Sequence, residues 1–472
     1  MSGNTFDTVV VGGTIAAEGE PYKADIGISN GTIAAIGLPR GHQQIDAREI
    51  IDASGKFVLP GAIDCHVHFR EPGHVHKEDW LTGSRAAAFG GVTTVIDMPN
   101  THPATDSVEH FLAKKEIALR ASYVDFGLYG LISDRSYHDI EAMHRAGVVG
   151  FKTYLSNSAS AHIGMIGDGS LLEAFEMLAE LGVRCVVHAE NGEIIENRTS
   201  RLQAAGRIDP RAHADSRPDV CAIEAVARSL IFAEWTGAPI HIAHEGTAAA
   251  IDLIVAAKAR GVDVSVETCP QYLLLSVNDL MRGGGVMRCN PPLRDPSNHE
   301  RLWQALRSGE IDAIATDHAP HTPDEKRGKS IWECQCGMLG VETAMPLMMT
   351  EVARGRLSLS EYVRAAARNP AKLWRLYPRK GTIQVGSDAD LVIVDFEREA
   401  RIDQARLHSK SKVSSWHGRD VRGLPVCTLV RGKVVAREGE LCVEPGWGKY
   451  VVQMPATPAP RNSPQNWIKC PD

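Results

Sequence analysis

Long apolar runs are missing. Nowhere do the 472 residues string together the roughly 18 uninterrupted apolar side chains of a membrane-crossing helix. Charge of one sign is missing too: 51 basic against 58 acidic residues give a net charge of −7. The signs are interspersed, so the electrostatic footprint of a nucleic-acid binder is absent. The ten cysteines lie scattered, with Cys334 and Cys336 the close pair, which excludes a disulfide framework of the secreted kind. Without a second pair, Cys334-x-Cys336 reads as loop packing rather than a thiolate metal site. The first residues show neither the cationic start nor the apolar stretch of a secretory or transit peptide, so a cytoplasmic location is the expectation. What remains is an ordinary globular composition, 43% apolar and 23% charged, able to bury a large core.

Short β-rich pieces punctuated by glycine open the chain: Thr8–Val11, Ala24–Ile28 and Thr32–Ile36, with turns at Gly12-Gly13 and Asn30-Gly31. The same texture returns in Asp390–Asp395, Val426–Val430 and Lys433–Ala436. We therefore expect the two ends, residues 1–56 and 375–453, to build one small β-sandwich. Between them, over 57–374, short apolar runs alternate with helical patterns of 10 to 15 residues, the signature of repeated βα units. The expected strands are Val58–Ile63, Thr93–Met98, Val124–Leu128, Val148–Phe151, Arg184–His188, Ile240–Ala243, Val262–Glu267 and Ala313–Thr316. Eight such strands fit an α/β fold of the (β/α)8, TIM-like barrel kind, with its active site at the C-terminal strand ends. An open doubly wound sheet would want a glycine-rich phosphate turn after its first strand, and none is present. The last segment, 454–472, holds Pro455, Pro458, Pro460, Pro464 and Pro471 and reads as an extended tail.

Polar side chains with ligand chemistry sit where the apolar runs end. His66 and His68 follow the first run, and two-residue spacing on a strand sends both imidazoles to one side. His188 closes Arg184–His188, His244 closes Ile240–His244, and Asp317 closes Ile314–Asp317. In a barrel these termini open onto one rim, so four imidazoles and a carboxylate would share a cavity. Nitrogen and carboxylate donors without thiolates suit zinc, manganese or a similar borderline divalent ion, and so many donors suit a pair. For any one histidine a hydrogen-bonded structural role weighs at least as much. For the set it weighs far less, because an unpaired polar cluster is costly to bury. His241, facing away from its neighbours, reads as structural. Lys152 ends the run Val148–Phe151 and would point to the same rim, where an amine among ligating imidazoles is badly placed as a cation. The alternative for it is a surface lysine.

Six stretches resemble dihydroorotase and the wider cyclic amidohydrolase group that includes allantoinase and hydantoinase: Gly61–Gly73, His76–Asp79, Met98–Thr101, Glu267–Tyr272, Asn290–Arg294 and Thr316–His321. The resemblance implies that His66 and His68 bind one metal, that His188 and His244 bind the second, and that Asp317 binds the first. It implies that Lys152, carboxylated by CO2 to a carbamate, bridges two divalent ions, with zinc the expected metal. Asp317 then shuttles a proton while a ring C–N bond is hydrolysed. Arg70, Asn100 and His321 match the dihydroorotase positions that hold the substrate carboxylate, and Asn290 joins the substrate set. On these residues the expected reaction is the interconversion of dihydroorotate and carbamoyl-aspartate in pyrimidine biosynthesis. The alternative is an allantoinase or a hydantoinase/dihydropyrimidinase acting on another cyclic ureide or imide. Arg437–Val451 resembles hydantoinase C-termini, whereas Asn157 stands where hydantoinases place a tyrosine five residues after the lysine. The expected partner is a small-molecule cyclic ureide, with no nucleic acid and no membrane, and the group commonly forms dimers or tetramers.

Overall fold

The computed structural model describes residues 6–17, 19–37, 46–158 and 163–455. Its centre is an eight-stranded parallel sheet in sequential order: Ala62–Val67, Val92–Asp97, Asp125–Leu131, Gly150–Tyr154, Cys185–His188, Ile240–Ile242, Val264–Thr268 and Ala313–Ile314. Every strand is buried along its length, as parallel strands covered by helices must be. A parallel bridge between Val67 and His318 brings the first strand against the chain that follows the eighth, and the His68 amide donates to the His318 carbonyl at 2.8 Å. The sheet is thereby a nearly closed barrel, the expected TIM-like form. Its interior is packed by Ile63, Ile96, Tyr129, Val186, Ala313 and Trp374 among others. Between strands the helices begin on side-chain caps: Asp79 accepts from the Thr82 amide before Trp80–Phe89, and Ser107 from the His110 amide before Val108–Ala121.

Two further sheets come from the chain ends. One orders Thr32–Ile36, Ile26–Ser29, Phe6–Val11 and Ala47–Asp52; the other runs from Glu440–Leu441 through Lys433–Arg437, Asp420–Val430, Leu391–Arg401, Phe57–Pro60 and Thr14–Ile15 to Tyr22–Lys23. A separate core that includes Val10, Ile26, Ile51, Val58, Leu391, Ile393 and Leu429 lies between them. Here the expected first barrel strand, Val58–Ile63, divides in two. Phe57–Pro60 pairs antiparallel with Leu391–Val394 in the end sheet, and the barrel strand starts only at Ala62. Gly61 is the joint: a Cβ there would lie 2.2 Å from the Thr93 side chain, so only glycine lets the chain pass. The end segment also returns to the barrel, where the Phe126 amide donates to the Lys449 carbonyl at 3.0 Å and the Val451 amide to Phe126 at 2.8 Å. Of the proline-rich tail, all but Met454 and Pro455 lies outside the described residues. Among the described residues no helix is long and apolar enough to cross a membrane.

Candidate metal centre and active site

A cleft opens at the C-terminal ends of the barrel strands, and His66, His68, Lys152, His188, His244 and Asp317 all line it. Arg70, Asn100, Asn157 and Asn290 line it as well. His321 stands behind Arg70, its Nε2 3.3 Å from the guanidinium Nη2. Every candidate residue is thus brought to one place. Cys336 and Gly337 form part of the wall, so the Cys334-x-Cys336 segment is packing at the cleft edge. His241 turns below it, its Nδ1 2.8 Å from Ser265 Oγ.

The donors converge in two groups. Nε2 of His66 and Nε2 of His68 lie 3.3 and 3.1 Å from Asp317 Oδ1. Nδ1 of His188 lies 3.0 Å from Nε2 of His244. The groups adjoin, since the His66 and His244 rings are 5.0 Å apart. Carboxylates behind the rings choose which nitrogen faces inward. Glu267 Oε1 takes the Nδ1 side of His66 at 2.5 Å, and Glu190 Oε2 takes the Nε2 side of His188 at 2.9 Å. Three positions at the site hold left-handed backbone, with φ of 62° at Arg70, 38° at His244 and 49° at Asp317. Each such residue costs about 1–3 kcal/mol, which the surrounding structure must offset.

Burial decides the charges. It pushes the His68 imidazole down to about 3 and His244 well below its ordinary value, so both are neutral and able to ligate. Burial works against the Asp317 anion, yet the imidazoles of His66 and His68 hold its carboxyl well below the usual carboxylate range. Lys152 is fully buried, and burial lowers its amine to about 8. Its Nζ makes no hydrogen bond and stands 5.1 Å from the Tyr154 ring centre. Nδ1 of His68 and Nδ1 of His244 are buried without partners too. Imidazole nitrogens converging on a carboxylate and on one another, beside an orphaned buried amine, suit a divalent metal centre, so the residues fit such a centre.

Three groups escaped the sequence reading. Tyr154 lies two residues beyond Lys152 on the same strand face and donates its hydroxyl to Asn100 Oδ1. Glu190 follows His188 by two residues and also receives Arg217 at 2.5 Å. Glu267 ends the seventh apolar run. The run-ending rule that found the histidines would have found Glu267, and two-residue spacing would have found the other two.

A parallel barrel with clustered imidazoles and an aspartate at its C-terminal rim defines a metal-dependent hydrolase. The chain belongs to the Amidohydrolase family, whose model matches residues 57–435, and within it to the cyclic amidohydrolases. It is 38% identical over 452 residues to L-hydantoinase of Paenarthrobacter aurescens, covering 95% of this chain and 98% of that one. It is 37% identical to allantoinase of Rubrobacter xylanophilus, with the same coverage. To dihydroorotase of Methanothermobacter thermautotrophicus it is 38% identical over 427 residues, 90% of this chain and 94% of the other. The solved structure of L-hydantoinase (dihydropyrimidinase) from Arthrobacter aurescens superposes with a TM-score of 0.93 at 38% identity, covering 95% of this chain and 100% of that one. The protein is accordingly a hydrolase acting on cyclic amides.

Proposed function

We propose that the chain opens a neutral cyclic ureide of the hydantoin class, hydantoin or its ureido derivative allantoin, by hydrolysing a ring C–N bond. The observation that carries the metal-dependent reaction is the convergence of five donor residues, His66, His68, His188, His244 and Asp317, around the unpartnered Lys152 amine. The choice of ureide rests on the cleft wall and on the relatives. Asn100, which dihydroorotase resemblance assigns to a substrate carboxylate, is already engaged: its Oδ1 accepts from Tyr154 and its Nδ2 donates to Ser158 Oγ at 3.0 Å. Asn290 Oδ1, by contrast, is buried in the cleft without a partner. It is an acceptor suited to a ring N–H. The extent of likeness to L-hydantoinase and allantoinase points the same way, so the dihydroorotase expectation yields to its alternative.

In this reading His66, His68 and Asp317 would hold one divalent ion, His188 and His244 would hold the other, and Lys152, carboxylated by CO2, would supply a further oxygen ligand. Zinc is the borderline ion such donors suit. The ions, when bound, supply a water of lowered pKa and polarise the ring carbonyl. The rest is done by the chain's own groups. The Asp317 carboxylate, kept ionised, takes the proton from the attacking water and returns it to the departing ring nitrogen. Asn290 orients the ring through its N–H. The buried Lys152 amine, neutral above about 8, is the form that reacts with CO2.

One observation favours dihydroorotate as a second reading. Arg70 is buried, its Nε has no partner, and among the described residues no carboxylate lies within ion-pair distance of it. Incubating the zinc-loaded protein with hydantoin, a 5-substituted hydantoin, allantoin, dihydrouracil and dihydroorotate separates the two. Turnover of hydantoins or allantoin well above that of dihydroorotate is expected, and turnover of dihydroorotate alone would reject the proposal.

A further inference from the structure

Near the end of the seventh barrel strand stands a carboxylate that touches two of the proposed ligands, one from each half of the centre. Glu267 is almost completely buried. Its Oε1 receives His66 Nδ1 at 2.5 Å and the backbone amide of His244 at 3.1 Å. Its Oε2 faces His241 Nε2 at 3.1 Å and Cys65 Sγ at 3.2 Å. An ionised carboxylate offers about four acceptor directions, and these four contacts fill them. Cys65 and His66 are consecutive, so strict strand alternation would not let both reach one carboxyl group. The register irregularity between Asp64 and Val67 allows it.

We propose that Glu267 is a positioning residue that fixes both halves of the centre at once, through the ring of His66 and the backbone of His244. This rests on the two-ion reading given above. Holding the Nδ1 hydrogen of His66 leaves Nε2 turned to Asp317. Holding the His244 amide keeps that residue in its left-handed conformation, φ 38°, and so keeps its ring against His188. The same oxygen makes both contacts, so the two halves move together. Glu190 provides the internal contrast: of the proposed ligands it contacts His188 alone.

The test strips metal rather than measuring turnover. Zinc-loaded wild type, Glu267→Gln and Glu190→Gln are equilibrated against a graded series of a zinc chelator, and zinc per chain is measured. Wild type retains two ions. Glu190→Gln gives up one ion early and keeps the other. Glu267→Gln releases both together at roughly 10- to 100-fold less chelator, the usual effect of removing a carboxylate behind a ligating histidine. A Glu267→Gln curve that overlays wild type, or that loses one ion as Glu190→Gln does, overturns the proposal. A wild type without zinc would defeat the two-ion reading instead, and Glu267 would still be tested in the metal-free chain. There, nitrogen-15 histidine spectra of wild type, with His66 assigned by His66→Gln, should show His66 carrying its hydrogen on Nδ1. A neutral ring with the hydrogen on Nε2 would overturn the proposal even if Glu267→Gln does not fold.

Discussion

Two buried lysines at opposite ends of the barrel are treated in opposite ways. Lys380 lies at the N-terminal end of the strands, 2% exposed, with Asp125, Asp388 and Asp390 oxygens 2.7, 3.1 and 2.6 Å from its Nζ. Asp125 also accepts from Arg431 and from the Lys449 amide, and Asp390 from the Arg431 amide. The three aspartates alone have the geometry of a cation site, and the lysine is the cation. This network ties the barrel to the end sheet and to the returning C-terminal segment. Lys152, at the other end and equally buried, has no hydrogen-bonding partner. Two more buried lysines follow Lys380: Lys114 pairs with Asp97 at 2.6 Å, and Lys326 donates to the carbonyls of Arg288, Gln335 and Gly337. Structural lysines are satisfied within the fold. A lysine left unsatisfied marks chemistry completed from outside it.

Lys152→Met should break the comparison most visibly. If the amine is the bridging group, hydrolysis falls by at least about 10³-fold, since metal assistance supplies several kcal/mol and each 1.36 kcal/mol is tenfold. The metal-free variant should melt no lower than metal-free wild type, because an unpaired buried cation has been replaced by an apolar chain of similar size. A lower melting point with activity retained would show the lysine to be structural. Lys380→Met should do the reverse. It leaves three buried carboxylates facing one another and destabilises the protein by about 3–5 kcal/mol in chemical denaturation. Activity per folded molecule should be unchanged.

The pH dependence of the metal-free protein sharpens the contrast. Burial lowers the Lys152 amine from 10.5 to about 8 in the folded chain. Between those values the unfolded chain binds more protons than the folded one, so this group makes stability rise with pH across the window. Below about 8 both forms are protonated and the whole penalty of the buried cation is present; above 10.5 both are neutral. Denaturation midpoints compared at pH 7.5 and 10 should therefore differ less in Lys152→Met than in wild type. Equal differences would mean that the amine is not held in a desolvated site.

How far all this could be read in advance depended on whether a feature was local. The barrel strands were legible because each is a short apolar run between helical patterns. That six polar residues would meet at one rim was legible because each closes such a run. The split at Gly61 was not, since Pro60-Gly61 interrupts the run without changing its apolar character, and only the Thr93 neighbour reveals the bend. Glu190 and Glu267 carried a usable signal, but a carboxylate at a strand end usually faces water. Its meaning here comes from His188, His66 and His241 arriving from other strands. The engagement of Asn100 by Tyr154 and Ser158, and the isolation of Arg70, are relations across 54 to 251 positions. No spacing rule reaches them.

Those last two residues extend the comparison from the metal side to the substrate side, with smaller effects. Asn100 resembles Lys380 in having its polar atoms taken, so Asn100→Ala should cost about 1–3 kcal/mol of stability for two lost hydrogen bonds and raise KM little for any substrate. Arg70 resembles Lys152: its guanidinium is buried, Nη2 meets the His321 ring, and Nε has no hydrogen-bond partner among the described residues. Arg70→Ala should leave stability nearly unchanged. Its cost falls on whichever substrate brings an acceptor, because a charge-assisted contact is worth about 1.5–3 kcal/mol, roughly 10- to 100-fold in kcat/KM. For a hydantoin-class enzyme that loss should appear with allantoin, whose ureido carbonyl can meet the guanidinium, and be small with unsubstituted hydantoin. An equal loss for both would assign Arg70 to holding the cleft wall, as a partnered residue does.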